Sequence, residues 1–154
     1  MDLISAGEMF RTMAKEAGVS LEKFGVRAEE DWRIDRELDA RMLELLRKKK
    51  KGVFDGRLVG YLAFTHSVES LRVYLTAQPD VRIRRIMLRE SQEYAVVKQD
   101  LEERERSEQK RYRSIYGIDL NDRSFYNFVL DSSQLAPDDI VTQIATKLKS
   151  RGAT

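Results

Sequence analysis

Apolar residues recur every three or four positions along several stretches of the chain, with polar or charged residues between them. That spacing places the apolar side chains on one face of a helix. It predicts helices over residues 8–17, 34–50, 79–90, 94–113 and 137–149, with a further short helix starting at Leu21. Asp31 suits the N-cap of the 34–50 helix, Gly52 suits its end, and Pro79 suits a first helical position.

Short apolar runs without helical spacing lie between the predicted helices. Residues 2–4, the run "GVFD" before Gly56, residues 70–77 and the run "FVLDSS" are typical of short buried strands. Because these runs alternate with helices, they predict an α/β domain with a mainly parallel sheet. A strand that leads into a helix within the first few residues is an unusual start for such a domain.

Two charged stretches are expected to face solvent. The helix over 94–113 carries almost no apolar residue between Glu102 and Arg111, so we expect it to project into solvent or to close over a ligand. Asp35 and Asp39 share one helix face; they could form a carboxylate pair, but we expect them to be solvated charges. The run "RKKKKG" is expected to be a solvated helix end, because no aromatic residue is interleaved as a nucleic-acid patch would require.

Composition narrows the class of protein. The 154 residues, 42% hydrophobic and 35% charged, predict a single globular domain, 1–154, that we expect to be monomeric. The chain contains no run of about 18 apolar residues, so we expect neither a membrane-spanning segment nor a membrane partner. The absence of cysteine fits a cytoplasmic location. One histidine leaves little for a metal site or a Ser-His triad, and a net charge of +2 is too small to predict a nucleic-acid partner.

Candidate binding residues follow the predicted strands, where open parallel sheets bind their ligands. They are Ser5, Gly7 and Arg11 after the first strand, Arg57 after the second, and Arg82, Arg85 and Arg89 after the third; Arg104, Glu108 and Arg111 share one face of the polar helix. The planar fork of arginine suits phosphate oxygens, and phosphoryl transfer needs several such forks around the moving group. Asp55 ends a strand, where it would either orient a nucleotide's magnesium ion or stabilise the turn.

Five segments together resemble a known family. "LISAGEMFR", "FDGRL", "VRIRRIMLRE", "ERERSEQKRYRSIYGIDL" and "SFYNFVLDSS" resemble, in order and spacing, the archaeal-type cytidylate kinases, and the likeness covers essentially the whole chain. The resemblance implies a nucleoside-monophosphate kinase with a P-loop, three-layer fold. It implies transfer of the terminal phosphate of ATP to CMP or dCMP, with Mg²⁺.

The resemblance also implies a role for most of the candidate residues. Ser5, Gly7 and Arg11 would border the monophosphate site, and Arg57 would bind the acceptor phosphate. Arg104 and Arg111 would be lid arginines, and Glu108 would be an acidic lid position. Arg85 and Arg89 would flank the ATP side. The lid segment would be residues 94–118. Asp55 is a catalytic candidate because of its position at a strand end, where it would hold the magnesium ion that accompanies ATP, and not because of the resemblance.

The chain departs from the family pattern in two places. Asn127 stands where the family more usually has an acidic residue. More importantly, no G-x-x-x-x-G-K-[ST] sequence occurs, although the family carries this loop between its first strand and first helix. We therefore expect the chain to be truncated, without its P-loop and first, central strand. That strand would bury about four aliphatic side chains, worth about 6–12 kcal/mol, so we expect the chain alone to fold poorly and not to turn over.

Alternatives remain open at this stage. A degenerate, non-catalytic kinase remnant would bind a nucleotide or RNA without forming ADP. A basic helical RNA binder would lose affinity steeply with rising salt, but it leaves the predicted strands without a purpose. Within the kinases, specificity for adenylate or uridylate is the nearest rival, because base choice depends on a few pocket side chains.

Overall fold

A computed structural model describes residues 2–49 and 51–151 of the chain. These residues form two compact units, and the single domain expected over 1–154 stays a prediction. The first unit consists of the described residues of Met1–Ser70 and Ser107–Phe125, and the second consists of those of Leu71–Arg106 and Tyr126–Thr154. One long helix, Tyr94–Tyr116, contributes residues to both units.

The first unit contains two strands and four complete helices. In chain order these are β1 (Asp2–Ser5), α1 (Ala6–Glu16), α2 (Leu21–Glu30), α3 (Trp32–Lys48), β2 (Gly52–Asp55) and α4 (Val59–Thr65). The two strands pair in parallel, with Leu3 opposite Val53 and Ser5 opposite Asp55. Both strands therefore end at the same edge of the sheet.

Side-chain caps account for where these helices begin. Ser5, Ser20 and Asp31 each accept a hydrogen bond from a backbone N–H of the first turn of α1, α2 and α3 respectively, which satisfies a donor that has no partner within the helix. The predicted capping role of Asp31 is confirmed. The predicted end of α3 at Lys50 lies outside the described residues. Helix α4 was not predicted, because its apolar residues form a run too short to show a helical period.

The core of the first unit lies between α3, α4 and the sheet. Met42 and Leu46 of α3 pack with Leu58, Leu62 and Tyr112, while Ile4 and Phe54 cover them from the strands. A second cluster joins α1, α2 and α3 through Met13, Ala14, Phe24 and Leu38. The core of this unit is therefore built mainly between helices, with one face of the two-stranded sheet against it.

The second unit has the same alternation of strands and helices. It contains β3 (Val73–Thr76), α5 (Pro79–Glu90), the first part of α6 (Tyr94–Tyr116), β4 (Phe128–Asp131) and α7 (Pro137–Arg151). Strands β3 and β4 pair in parallel, with Thr76 opposite Asp131. Ile83, Val97 and Leu130 are its buried apolar residues among those described.

The predicted fold class is confirmed at the level of an α/β protein with parallel strands. The three-layer arrangement and the missing central strand stay predictions. Over residues 2–49 and 51–151, the structure contains no helix with the length and apolar character needed to cross a membrane.

Candidate functional site

The carboxyl ends of β1 and β2 bring two candidate residues together. Ser5 and Asp55 are register partners, and the Ser5 hydroxyl donates a hydrogen bond of 3.3 Å to Asp55 Oδ2. The same hydroxyl oxygen accepts from the backbone N–H of Glu8 at 3.5 Å, so it also caps α1. The strand edge thus presents a hydroxyl and a carboxylate beside the N-terminus of a helix, which favours negative charge.

Gly7 and Arg11 complete this edge. A Cβ atom placed on Gly7 would lie 3.6 Å from Ser5 Oγ and 3.9 Å from Arg11 Nη1. The guanidinium of Arg11 and the Ser5 hydroxyl therefore both lie close to Gly7. Three residues predicted to border a monophosphate lie together.

The turn after β2 approaches α1 closely at Gly56. A Cβ atom on Gly56 would lie 2.7 Å from the Cβ of Ala6 and 3.0 Å from a methyl carbon of Val59. Neither contact is with a flexible side-chain end, so only glycine fits at this position. This close approach holds the beginning of α4, and with it Arg57, against the start of α1.

Arg57 is joined to the polar helix by an ion pair. Its Nε lies 3.0 Å from Glu108 Oε2, and the side chain of Glu108 is 10% exposed while that of Arg57 is 43% exposed. The expectation that the polar stretch of α6 stays out of the protein interior is wrong at Glu108, which is buried. Its charge is tolerated there because a guanidinium accompanies it.

Arg111 forms a second and more deeply buried ion pair one turn further along α6. Its Nε donates to Asp35 Oδ2 at 2.7 Å, and its Nη1 donates to the Ser107 hydroxyl oxygen at 2.7 Å. Ser107 in turn donates its hydroxyl to Glu29 of α2. Arg111 therefore links α6 to α3 directly and to α2 through Ser107.

The expectation that Asp35 and Asp39 are solvated is wrong. Asp35 is fully buried and Asp39 is 6% exposed. The sequence contains a signal for this burial, because the two acids fall on the same helical stripe as the buried Leu38, Met42 and Leu46. A carboxylate within an apolar stripe is expected to be buried beside a partner, and this rule would have identified Asp35 and Asp39 as buried acids.

Asp39 and Tyr116 form the inner part of this cluster. The Tyr116 hydroxyl donates to Asp39 Oδ2 at 2.7 Å. Burial raises the pKa of Asp39 to about 7; the hydrogen bond from Tyr116 opposes that shift and the charge of Asp35 adds to it. Burial also raises the pKa of the Tyr116 and Tyr112 hydroxyls well above its ordinary value, so both remain protonated.

The protonation states of Asp35 and Arg111 follow from their pairing. Burial raises the pKa of Asp35 above its ordinary value, against the opposing charge and hydrogen bond of Arg111. Burial alone would lower the pKa of Arg111, but the charge and the hydrogen bond of Asp35 outweigh it and place that pKa above its ordinary value. The guanidinium is therefore permanently charged.

The candidate residues of the second unit have their own partners. Arg85 donates from Nη1 to Ser132 Oγ at 3.0 Å and from Nη2 to the Ser132 carbonyl at 2.6 Å, which fastens the loop after β4 to α5. Arg82 forms an ion pair with Glu105 of α6, and Arg89 donates to Glu90 at 2.6 Å. Arg104 lies on an exposed part of α6. The roles predicted for Arg85, Arg89 and Arg104 stay predictions.

Asp55 and Ser5 are the residues whose chemistry fits a magnesium ion. Over the described parts of the chain, no three His, Cys, Asp or Glu side chains are grouped so as to hold a metal by themselves. Magnesium, however, prefers oxygen ligands and is commonly held by one or two protein groups together with substrate phosphates and water. The carboxylate and hydroxyl at the strand edge form such a partial oxygen set.

Comparison with known proteins identifies the family. The model of the cytidylate kinase-like family matches residues 1–134. A cytidylate kinase of Methanococcoides burtonii is 41% identical over 134 residues, which are 87% of this chain and 74% of that protein. Cytidylate kinases of Methanocaldococcus jannaschii (39% over 132 residues; 85% of this chain, 74% of that protein) and Archaeoglobus fulgidus (36% over 141 residues; 92% and 77%) are similar as well. As its sequence predicts, the chain belongs to the cytidylate kinase-like family.

Proposed function

We propose that this chain provides the acceptor-nucleotide site of an enzyme that transfers the terminal phosphoryl group of ATP to CMP or dCMP. One observation carries the proposal: at the edge where β1 and β2 end, the Ser5 hydroxyl donates to Asp55, while Arg57, which follows β2, forms an ion pair with Glu108, one turn before Arg111 on α6. Arg11 of α1 and Arg57, which lies between β2 and α4, thus follow the two strands at the edge where parallel sheets bind ligands, and Glu108 joins Arg57 to α6.

The chemistry of these groups suits phosphoryl transfer. The acceptor is the phosphate oxygen of the nucleotide itself, so no protein nucleophile is needed, and catalysis consists of positioning and of neutralising charge. In this proposal Arg11 and Arg57 bind the acceptor phosphate and Arg111 stabilises charge on the transferred group. When bound with ATP, Mg²⁺ would neutralise charge on its phosphates, and Asp55 and Ser5 are the residues that would hold it.

The proposal extends to the second unit and to the binding of ATP. We propose that Arg104 is a further lid arginine and that Arg85 and Arg89 serve the ATP side. Because the 154 residues contain no G-x-x-x-x-G-K-[ST] sequence, nothing in them matches the backbone cradle and lysine that hold ATP phosphates in P-loop kinases. We therefore expect the chain alone not to turn over, and to need an added P-loop segment for catalysis.

A coupled assay of ADP release tests this function. It would be run with CMP, dCMP, AMP and UMP, on this chain and on a form with a strand, P-loop and helix added before Met1. We expect ADP release only from the extended form and mainly with the cytidine nucleotides. An extended form that is inactive with CMP, while it is active with another monophosphate, would show that the substrate assignment is wrong.

The alternative of a non-catalytic binding module makes a different prediction. Such a module would bind CMP saturably in both forms, and neither form would release ADP. An RNA-binding function would instead show affinity for RNA that falls steeply as salt rises, because binding would release the counterions of the RNA phosphates.

A further inference from the structure

Arg111 is held on one side and left available on the other. Asp35 accepts from its Nε and Ser107 accepts from its Nη1, whereas its Nη2 makes no hydrogen bond or ion pair with any residue of 2–49 or 51–151. Its side chain is 14% exposed. The guanidinium is therefore fixed in orientation, with donor capacity remaining on its Nη2 end.

Burial of the Asp35 carboxylate costs folding free energy. Its side chain is 1% exposed, and its Oδ1 is buried with no hydrogen-bond partner among the described residues. A buried carboxylate with one unsatisfied oxygen contributes less to stability than an apolar side chain of similar volume would. The stability of the fold therefore does not explain why an aspartate, and not an apolar residue, occupies this buried position of α3.

A fixed orientation of Arg111 lowers the entropic cost of binding an anion. Free arginine side chains have many rotamers, and ordering one on binding an anion costs conformational entropy. A guanidinium already held through Nε presents its remaining donors without that cost. Asp35 belongs to α3, whose core residues pack against α4 and the sheet, so the holding group is itself on a rigid element.

Resting on the proposed function, we propose that Asp35 is a positioning residue, which holds Arg111 through Nε so that the Nη2 end binds a phosphate oxygen of the nucleotide. Asp35 touches no substrate and acts only through Arg111. Ser107 assists by accepting from Nη1. A purely structural ion pair between α3 and α6 is the competing account, and it makes no distinction between ligands with and without a phosphate.

Calorimetric titration with CMP and with cytidine separates the two accounts. Asp35→Asn keeps the shape of the side chain and removes its charge, and Arg111→Met removes the guanidinium. Each variant is expected to bind CMP about tenfold or more weakly, as for loss of a hydrogen bond to a charged group, with cytidine affinity changed less than about twofold. The double variant is expected to bind CMP no more weakly than Arg111→Met alone.

Asp31→Asn is the matched control on the same helix. It removes an exposed carboxylate that pairs with Arg33, while asparagine still caps α3, so CMP affinity is expected to stay unchanged. If Asp35→Asn does not fold, Asp35→Glu takes its place, because it keeps the charge and moves the carboxylate by one methylene. That variant is expected to weaken CMP binding severalfold at constant cytidine affinity.

The outcomes are distinguishable. Unchanged CMP affinity in a folded Asp35 variant, equal weakening of CMP and cytidine, or additive losses in the double variant would each overturn the positioning role while the proposed function stands. A wild-type chain that binds no CMP would instead overturn the proposed function, and the positioning role with it.

Discussion

The buried carboxyl of Asp39 leads to a prediction about stability and pH. Asp39 is 6% exposed, and burial raises its pKa to about 7, from a value of 3.8 in the unfolded chain. Between these two values the folded chain binds a proton that the unfolded chain has lost. The free energy of unfolding must therefore fall as the pH rises through this window.

The magnitude follows from the two pKa values. Linkage gives a contribution of about 2–3 kcal/mol at pH 5 that has almost vanished at pH 8. Asp39→Asn removes the titrating group, so the variant should lack this part of the pH dependence whatever its stability at a single pH. Asp35 also has a raised pKa, and its contribution cancels to first order because it is present in both proteins.

Urea unfolding of both proteins at pH 5 and pH 8 measures the difference, and a ¹³C-detected titration of the Asp39 carboxyl measures its pKa directly. Glu37→Gln is the control, because it removes an exposed carboxylate from the same helix. We expect the loss of stability between the two pH values to be larger in wild type than in Asp39→Asn by about 2–3 kcal/mol. Parallel profiles, or a carboxyl that titrates near pH 4, would refute the reasoning.

Three further predictions concern packing, capping and the anion site. Gly56→Ala should lower the free energy of unfolding in urea by about 1–3 kcal/mol, because its Cβ would lie 2.7 Å from that of Ala6. Gly25→Ala, which has open space around it in α2, should raise the free energy of unfolding by about 0.5–1 kcal/mol. Similar effects of the two substitutions would contradict the close approach at Gly56. Asp31→Ala should cost about 1 kcal/mol through loss of the α3 cap, and no loss would mean that water replaces it. Arg57→Met should weaken calorimetric binding of CMP about tenfold and leave cytidine binding unchanged; equal loss for both ligands would remove Arg57 from the phosphate site.

Local sequence patterns were sufficient for most of the secondary structure. Helical spacing, the cap at Asp31 and Pro79 at a first helical position depend on residues within a turn or two of one another, and the structure has helices at each predicted place. The alternation of strands and helices was likewise sufficient for the parallel pairing. Helix α4 escaped prediction, since seven residues span only two helical turns.

The candidate site was predictable in part. Ser5, Gly7 and Arg11 lie close together because they are neighbours in the chain, and Asp55 joins them because two parallel strands end at one edge. The partners of Arg57, which precedes α4, and of Arg111 on α6 were not predictable in this way. A helix that is polar on all sides gives no indication of which face will be buried.

The sequence by itself therefore determined all the element types except α4, the α/β class with parallel strands and the family, because each depends on short-range spacing or on residues in a fixed order. Only the tertiary structure decided which partners the buried acids meet: Glu108 pairs with Arg57, and Asp35 pairs with Arg111. The physical reason is that a buried charge is tolerated only beside its partner, and these partners lie 51 and 76 positions away along the chain.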